Sequence, residues 1–220
     1  VSHATQPFAW SVRRAIWEHR SVWIAPLAAA GLVLFSFLFR LAKLPSLLDK
    51  ANHLAPMPRV VAIAAPFAIA TFAIIITGTI VSFFFCLGAL NNERRDRSIL
   101  FWKSLPVSDT TAVLAKAFVP LVLVPLIVIA TAVATQLIML LVATIVLTAT
   151  GANVSQIWTG WPLVQFELTM LYVLVTGVLW YAPIYGWVLM ISSWARRVAF
   201  LWAVLPWLGL FLLEQMAFGT

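Results

Sequence analysis

The sequence predicts an all-α membrane protein, built as a polytopic bundle of transmembrane helices. Of its 220 residues, 63% are hydrophobic and only 10% are charged, whereas soluble domains carry about 25% charged residues. The apolar residues also gather into five long runs, most of them as long as the roughly 20 residues that a helix needs to cross a bilayer. The lipid bilayer is therefore the first partner that the sequence predicts.

An amphipathic helix is predicted before the first run, at residues 8–20. It places Phe8 and Ile16 on one side and Arg14 with Glu18 on another. A helix with this division, lying directly before a span, is expected at the membrane interface.

The five predicted spans cover residues 22–39, 60–90, 112–150, 168–191 and 198–213. The third run would measure about 58 Å as one helix, so we expect a helix that projects beyond the bilayer and bends at Pro120 or Pro125. The second run is also longer than one crossing requires. The segment between the first two spans, residues 41–59, contains three prolines and is predicted to be a short loop.

Loop charges predict the orientation, because cytoplasmic loops of membrane proteins are enriched in Lys and Arg. With the N-terminus inside, the inner segments hold Arg13, Arg14, Arg20, Arg94, Arg95, Arg97, Lys103, Lys116, Arg196 and Arg197, whereas the outer segments hold Arg40, Lys43, Lys50 and Arg59. Dividing the third run into two spans would move Arg196 and Arg197 outside and weaken this bias. The N-terminus is therefore predicted to be cytoplasmic.

A densely charged segment, residues 91–108, separates the second and third spans. Charges are costly in lipid, so the segment must lie outside the hydrocarbon, on the cytoplasmic side. Pro106 interrupts a helix, and Ser108 followed by Asp109 is typical of a helix start. Composition alone is equally compatible with a plain solvated loop.

Over residues 88–120 the sequence resembles the ABC-2 type permease family, the transmembrane subunits of a class of ABC transporters. The resemblance depends on three features: the opening Asn92-Glu93-Arg94, an amphipathic stretch through Ser98, Leu100 and Trp102, and the exit Ser104-Leu105-Pro106-Val107-Ser108 followed by Lys116. In that family this loop is a coupling helix that fits a groove on the ATPase subunit.

The resemblance implies which residues meet the ATPase. The implied coupling surface is Glu93, Arg94, Arg95, Asp96, Ser98, Leu100, Trp102 and Lys103, and the implied turn into the third span is Leu105, Pro106, Val107 and Ser108. It also implies two ATPase subunits that carry ATP and Mg²⁺, a second permease subunit, and export of a lipid-like, peptide or drug-like substrate across the bacterial inner membrane. The family usually has six spans, so five visible of six are expected, with the sixth missing from the C-terminal end.

Catalytic chemistry is not predicted for this chain. It has no Walker-type phosphate loop, its three histidines are far apart, and Cys86 is its only cysteine. No cofactor, metal site or nucleic-acid surface is expected. The alternative function is a non-transporting membrane scaffold or sensor that recruits a cytosolic partner through the same charged loop.

Four polar or aromatic residues within the spans are candidates for an interhelical or pathway role. Gln136 is the only amide deep in the third span, where it would bond another helix or line a pathway. Trp180, Tyr181 and Tyr185 lie mid-span, where they would pack against helices or form a stacking surface for an amphipathic substrate.

Overall fold

The computed structural model describes residues 7–92, 108–159, 163–195 and 198–219, and these residues form helices and no strand. The helices are α1 (Pro7–Glu18), α2 (Ser21–Leu41), α3 (Leu44–Asn52), α4 (Pro56–Gly88), α5 (Asp109–Ala149), α6 (Ser155–Thr159), α7 (Leu163–Trp194) and α8 (Ala199–Phe218). Five of them, α2, α4, α5, α7 and α8, are long and apolar enough to cross a membrane. The predicted fold class, an all-α multi-pass membrane protein, is confirmed.

Helix α5 is a single run, as the hydropathy predicted, but it changes its hydrogen-bond pattern near its start. A π-helical turn occupies Val119–Leu123, and the Val124 N–H donates to the Val119 carbonyl five residues earlier. Pro120 lies in this turn and lacks an N–H, so a regular α-helical pattern would be interrupted there in any case.

Helices α4 and α5 flank the charged segment and are the two longest spans. With 33 and 41 residues, they measure about 50 and 62 Å. Both exceed the roughly 30 Å of the hydrocarbon core. Part of each helix must therefore tilt or project beyond it.

Two details of the sequence interpretation were wrong. Residues 41–59 are not a simple loop, because Leu44–Asn52 forms α3 and buries Leu48 and Ala51. Pro45 stands in the first turn of that helix, where proline is tolerated. The fifth span is not short either: α8 continues past Glu214 to reach 20 residues, enough for a full crossing.

The chain divides into two compact units, and the division falls within α2, α4, α5 and α7. Unit 1 comprises residues 1–22, 80–124 and 178–220, and unit 2 comprises 23–79 and 125–177. Unit 2 has an apolar core, formed by Phe37, Leu41, Leu48, Ala51, Ile63, Phe67, Ala70, Met139, Leu140, Ala143, Leu147 and Ile157.

In unit 1, helix α1 packs along the first turns of α5. The Phe8 and Phe118 rings meet edge to face with their centroids 5.5 Å apart. At the other end of α1, the His19 ring meets Phe85 of α4 at 4.8 Å. These contacts hold α1 against the helix ends that flank the charged segment.

Candidate functional site

All eight residues of the implied coupling surface, and three of the four in the implied turn, lie outside the described residues. This applies to Glu93, Arg94, Arg95, Asp96, Ser98, Leu100, Trp102, Lys103, Leu105, Pro106 and Val107. Their role stays a prediction. The structure does describe the two ends of the segment, and each end has a distinct set of polar contacts, all of them within unit 1.

The end of α4 is held by a serine from another helix. Ser192 of α7 is fully buried, and its hydroxyl donates to the Leu87 carbonyl at 2.8 Å. The same oxygen accepts from the Leu90 N–H at 3.1 Å and the Asn91 N–H at 3.0 Å. A hydroxyl has one proton and two lone pairs, so all of its bonding capacity is used on this one stretch of backbone.

A lysine from α5 contacts the same stretch. The Lys116 ammonium donates to the Ala89 carbonyl, one residue past the end of α4. A helix C-terminus carries partial negative charge and carbonyls without helical partners, so a cation there is favourable. We name this set of contacts, between Ser192 or Lys116 and the backbone of residues 87–91, the junction.

The junction explains why α4 can stop where it does. Backbone groups at a helix end must find partners outside the helix or remain exposed to water. Here α5 and α7 each supply one side chain, so three spans meet at the point where the charged segment leaves α4. The Lys116 amine is bonded to this backbone.

The far end of the charged segment has a helix cap. Ser108 has extended backbone (φ −68°, ψ 145°) and accepts a hydrogen bond from the Thr111 N–H at 3.2 Å. Its hydroxyl also bonds those of Thr110 and Thr111, at 3.0 and 2.7 Å. Asp109 occupies the favourable first turn. The predicted N-cap is confirmed, and it sets the direction in which α5 begins.

Gln136 makes an interhelical hydrogen bond within unit 2. The side chain is 1% exposed, and its Nε2 donates to Thr71 Oγ1 of α4 at 2.6 Å. Its Oε1 has no hydrogen-bond partner among the described residues. A side chain this deeply buried packs between helices, so it does not line an open passage in this structure.

The three mid-span aromatic residues do not form one surface. Tyr185 is buried, whereas Trp180 and Tyr181 are exposed. The Tyr181 and Tyr185 ring centroids are 6.3 Å apart. Tyr185 therefore has a packing role, and the exposed pair is available to lipid or to another helix.

Sequence reasoning missed Ser192. A serine near the end of an apolar run is common, and the backbone that it holds lies about a hundred residues earlier in the chain. The signal in the sequence is local: Ser192 and Ser193 are adjacent serines just before Arg196 and Arg197. That position suggests a helix end, but it does not indicate which helix the hydroxyl meets.

Comparison with protein-family models, curated proteins and solved structures gives no match. The resemblance of residues 88–120 to the ABC-2 permeases stays a prediction from the sequence.

Proposed function

We propose that this chain is the membrane-spanning permease subunit of an ATP-driven ABC-2 type exporter, coupled to a separate ATPase through residues 91–108. The observation that carries the proposal is the junction. It joins the helix before the charged segment to α5 and α7 at the point where the segment begins. A segment that receives a push from a soluble partner needs such an attachment.

The junction supports force transfer because the backbone groups at the end of α4 are hydrogen-bonded to side chains of other helices. Residues 90 and 91 lead directly into the charged segment, and their N–H groups are held by a buried hydroxyl. Lys116 holds the neighbouring carbonyl from α5. A displacement of the segment would therefore also move the ends of α4, α5 and α7 that are bonded at the junction.

The Ser108 cap supports the same role at the other end. A capped start gives α5 a defined direction, so the segment is held by ordered structure on both sides. The charge content of the segment, with both signs present between residues 93 and 103, suits docking on a soluble protein, since complementary charges direct the approach and orientation of partners.

The assembly that we propose contains two ATPase subunits and a second permease subunit, in the bacterial inner membrane with the N-terminus in the cytoplasm. ATP and Mg²⁺ bind the ATPase subunits, and the permease chain performs no catalysis. The substrate class, lipid-like, peptide or drug-like, comes from the family resemblance.

The partner is tested by capture from the native membrane. The full chain is affinity-purified under mild detergent, and copurifying ATP hydrolysis is measured. Glu93→Arg should remove most of it, because reversing one charge in a docking surface both weakens attraction and adds repulsion. The matched control is Asp49→Arg, the same charge change at an exposed residue of α3, and it should leave the activity unchanged.

Three outcomes decide the proposal. No copurifying ATPase with the unmodified chain contradicts it. Equal capture by Glu93→Arg and the unmodified chain contradicts the docking role of the segment. Capture of a cytosolic protein without ATP hydrolysis contradicts the transporter assignment and favours the scaffold or sensor alternative.

The junction is tested by separating capture from coupling. Lys116→Met keeps an unbranched side chain one atom shorter and removes its donor, so the ATPase should still copurify. In proteoliposomes, we expect substrate-stimulated ATP hydrolysis to fall several-fold, because α5 no longer holds the end of α4. Full stimulation in this variant would show that the junction does not transmit the motion.

A further inference from the structure

The outward side of helix α1 carries a stack of two tryptophans and an arginine. The Arg13 guanidinium lies 5.6 Å from the centre of the Trp10 ring and 4.9 Å from that of the Trp17 ring. Trp10 precedes Arg13 by one helical turn and Trp17 follows it by one, so the cation has a ring on each side along the helix. Both rings are largely exposed, at 62% and 65%.

This stack is not needed for packing within the chain. The opposite side of α1 makes the tertiary contacts, with Phe8 against Phe118 and Ala15 buried. Two large rings facing water would be costly, since each tryptophan has a large apolar surface. Exposed aromatic rings beside a cation indicate an environment that offers apolar contacts to the rings and polar contacts to the cation.

The position of α1 identifies that environment. Only His19 and Arg20 separate α1 from Ser21, the first residue of the first span. A helix that ends two residues before a span must lie close to the bilayer surface. Tryptophan rings collect at that depth, where the ring contacts acyl chains and its N–H reaches the headgroups.

We propose that Trp10, Arg13 and Trp17 form a binding site for the phosphate group of an anionic membrane phospholipid. The guanidinium lies over both rings, and a guanidinium held over aromatic rings can still donate through N–H groups at its edges. Those edges match the two oxygens of a phosphate and can donate two parallel hydrogen bonds. The lipid's acyl chains would continue past the rings into the bilayer.

The neighbouring arginine shows why Arg13 is the candidate. Arg14 donates to the carboxylate of Glu18, at 2.5 Å. Within the described residues, Arg13 has no carboxylate partner and is exposed. Residues 10–20 carry three arginines and one glutamate, so the net charge of this region also favours an anion. The proposal is independent of the transporter assignment.

The site is tested by native mass spectrometry of the full chain in detergent, titrated with phosphatidylglycerol or phosphatidylcholine. The unmodified chain should retain one phosphatidylglycerol ahead of phosphatidylcholine. Arg13→Gln should weaken that first binding step about tenfold or more, the usual result of losing a charge-assisted pair of hydrogen bonds. Arg13→Lys should lose several-fold, because an ammonium keeps the charge but not the planar fork.

Arg20→Gln is the matched control. It removes the same charge close by, from an exposed residue that has no aromatic ring stacked on it among the described residues, and it should change the affinity by no more than a few-fold. Circular dichroism of each variant checks that the helices remain folded. An excess of inorganic phosphate should not displace the lipid, because the rings and acyl chains contribute to binding.

Five results would overturn the assignment. Equal losses in Arg13→Gln and Arg20→Gln would mean diffuse surface charge, and full affinity in Arg13→Lys would mean that stacking is irrelevant. Equal binding of phosphatidylcholine would remove the anionic preference. Displacement by inorganic phosphate would make this a free-phosphate site. Undiminished phosphatidylglycerol binding by Arg13→Gln would mean that the arginine does not hold the lipid.

Discussion

Ser192 in unit 1 and Gln136 in unit 2 are both buried polar residues on spanning helices, yet they are satisfied very differently. Ser192 uses its proton and both lone pairs on the backbone of residues 87–91. Gln136 makes one bond to a hydroxyl and leaves its carbonyl oxygen without a partner among the described residues. Ser192 satisfies backbone groups at the end of α4, and Gln136 links the side of α5 to the side of α4.

This difference predicts different costs of removal. Backbone groups at a helix end lack partners within the helix, so losing Ser192 removes the acceptor of the Leu90 and Asn91 N–H groups. The helices around Gln136 already satisfy their own backbones. Side-chain hydrogen bonds between membrane helices contribute only about 0.6 kcal/mol on average. Ser192, although it is the smaller side chain, should therefore contribute more to the free energy of unfolding than Gln136.

The largest expected effect is that of Ser192→Ala. It leaves the Leu90 and Asn91 N–H groups without their acceptor, which should lower the free energy of unfolding by about 2 kcal/mol. The measurement is unfolding in mixed detergent micelles, followed by circular dichroism. The control is Ser193→Ala, since Ser193 is exposed and donates to the Met190 carbonyl of its own helix; it should change stability by less than about 0.5 kcal/mol. Equal effects of the two variants would contradict the comparison.

Ser108→Ala should have an intermediate effect. It removes the acceptor of the Thr111 N–H at the start of α5, and loss of an N-cap typically costs about 1 kcal/mol. Ser108→Asp is the compensating variant, since aspartate caps equally well and adds a favourable charge. Hydrogen exchange of the amides of residues 109–112 would report the change directly. Unchanged exchange in Ser108→Ala would argue that the cap contributes nothing.

The smallest expected effect is that of Gln136→Leu, at about 0.6 kcal/mol in the same unfolding measurement. The double variant Gln136→Leu/Thr71→Val should be close to neutral, because replacing both partners by apolar groups leaves nothing unpaired. A cost above that of Ser192→Ala would reverse the comparison. It would also give Gln136 a role beyond joining α4 and α5.

The sequence predicted the features that the bilayer dictates. Long apolar runs in a bilayer must be helical, because the helix satisfies its own backbone hydrogen bonds. Ser108 followed by Asp109 marked the start of α5 correctly. Pro45 was misinterpreted because proline indicates either a loop or a first helical turn, and only the buried Leu48 and Ala51 decide between them. Ser192 was beyond reach, since its partners are distant in the chain. The roles of Glu93 to Val107 stay a prediction.

The wide turn at Val119–Leu123 gives α5 a property that a regular helix of the same length lacks. A π-turn accommodates one additional residue, and each residue in an α-helix corresponds to about 100° of rotation. The side chains on either side of the turn are therefore out of phase with each other. Deleting a single residue from the turn would remove this offset.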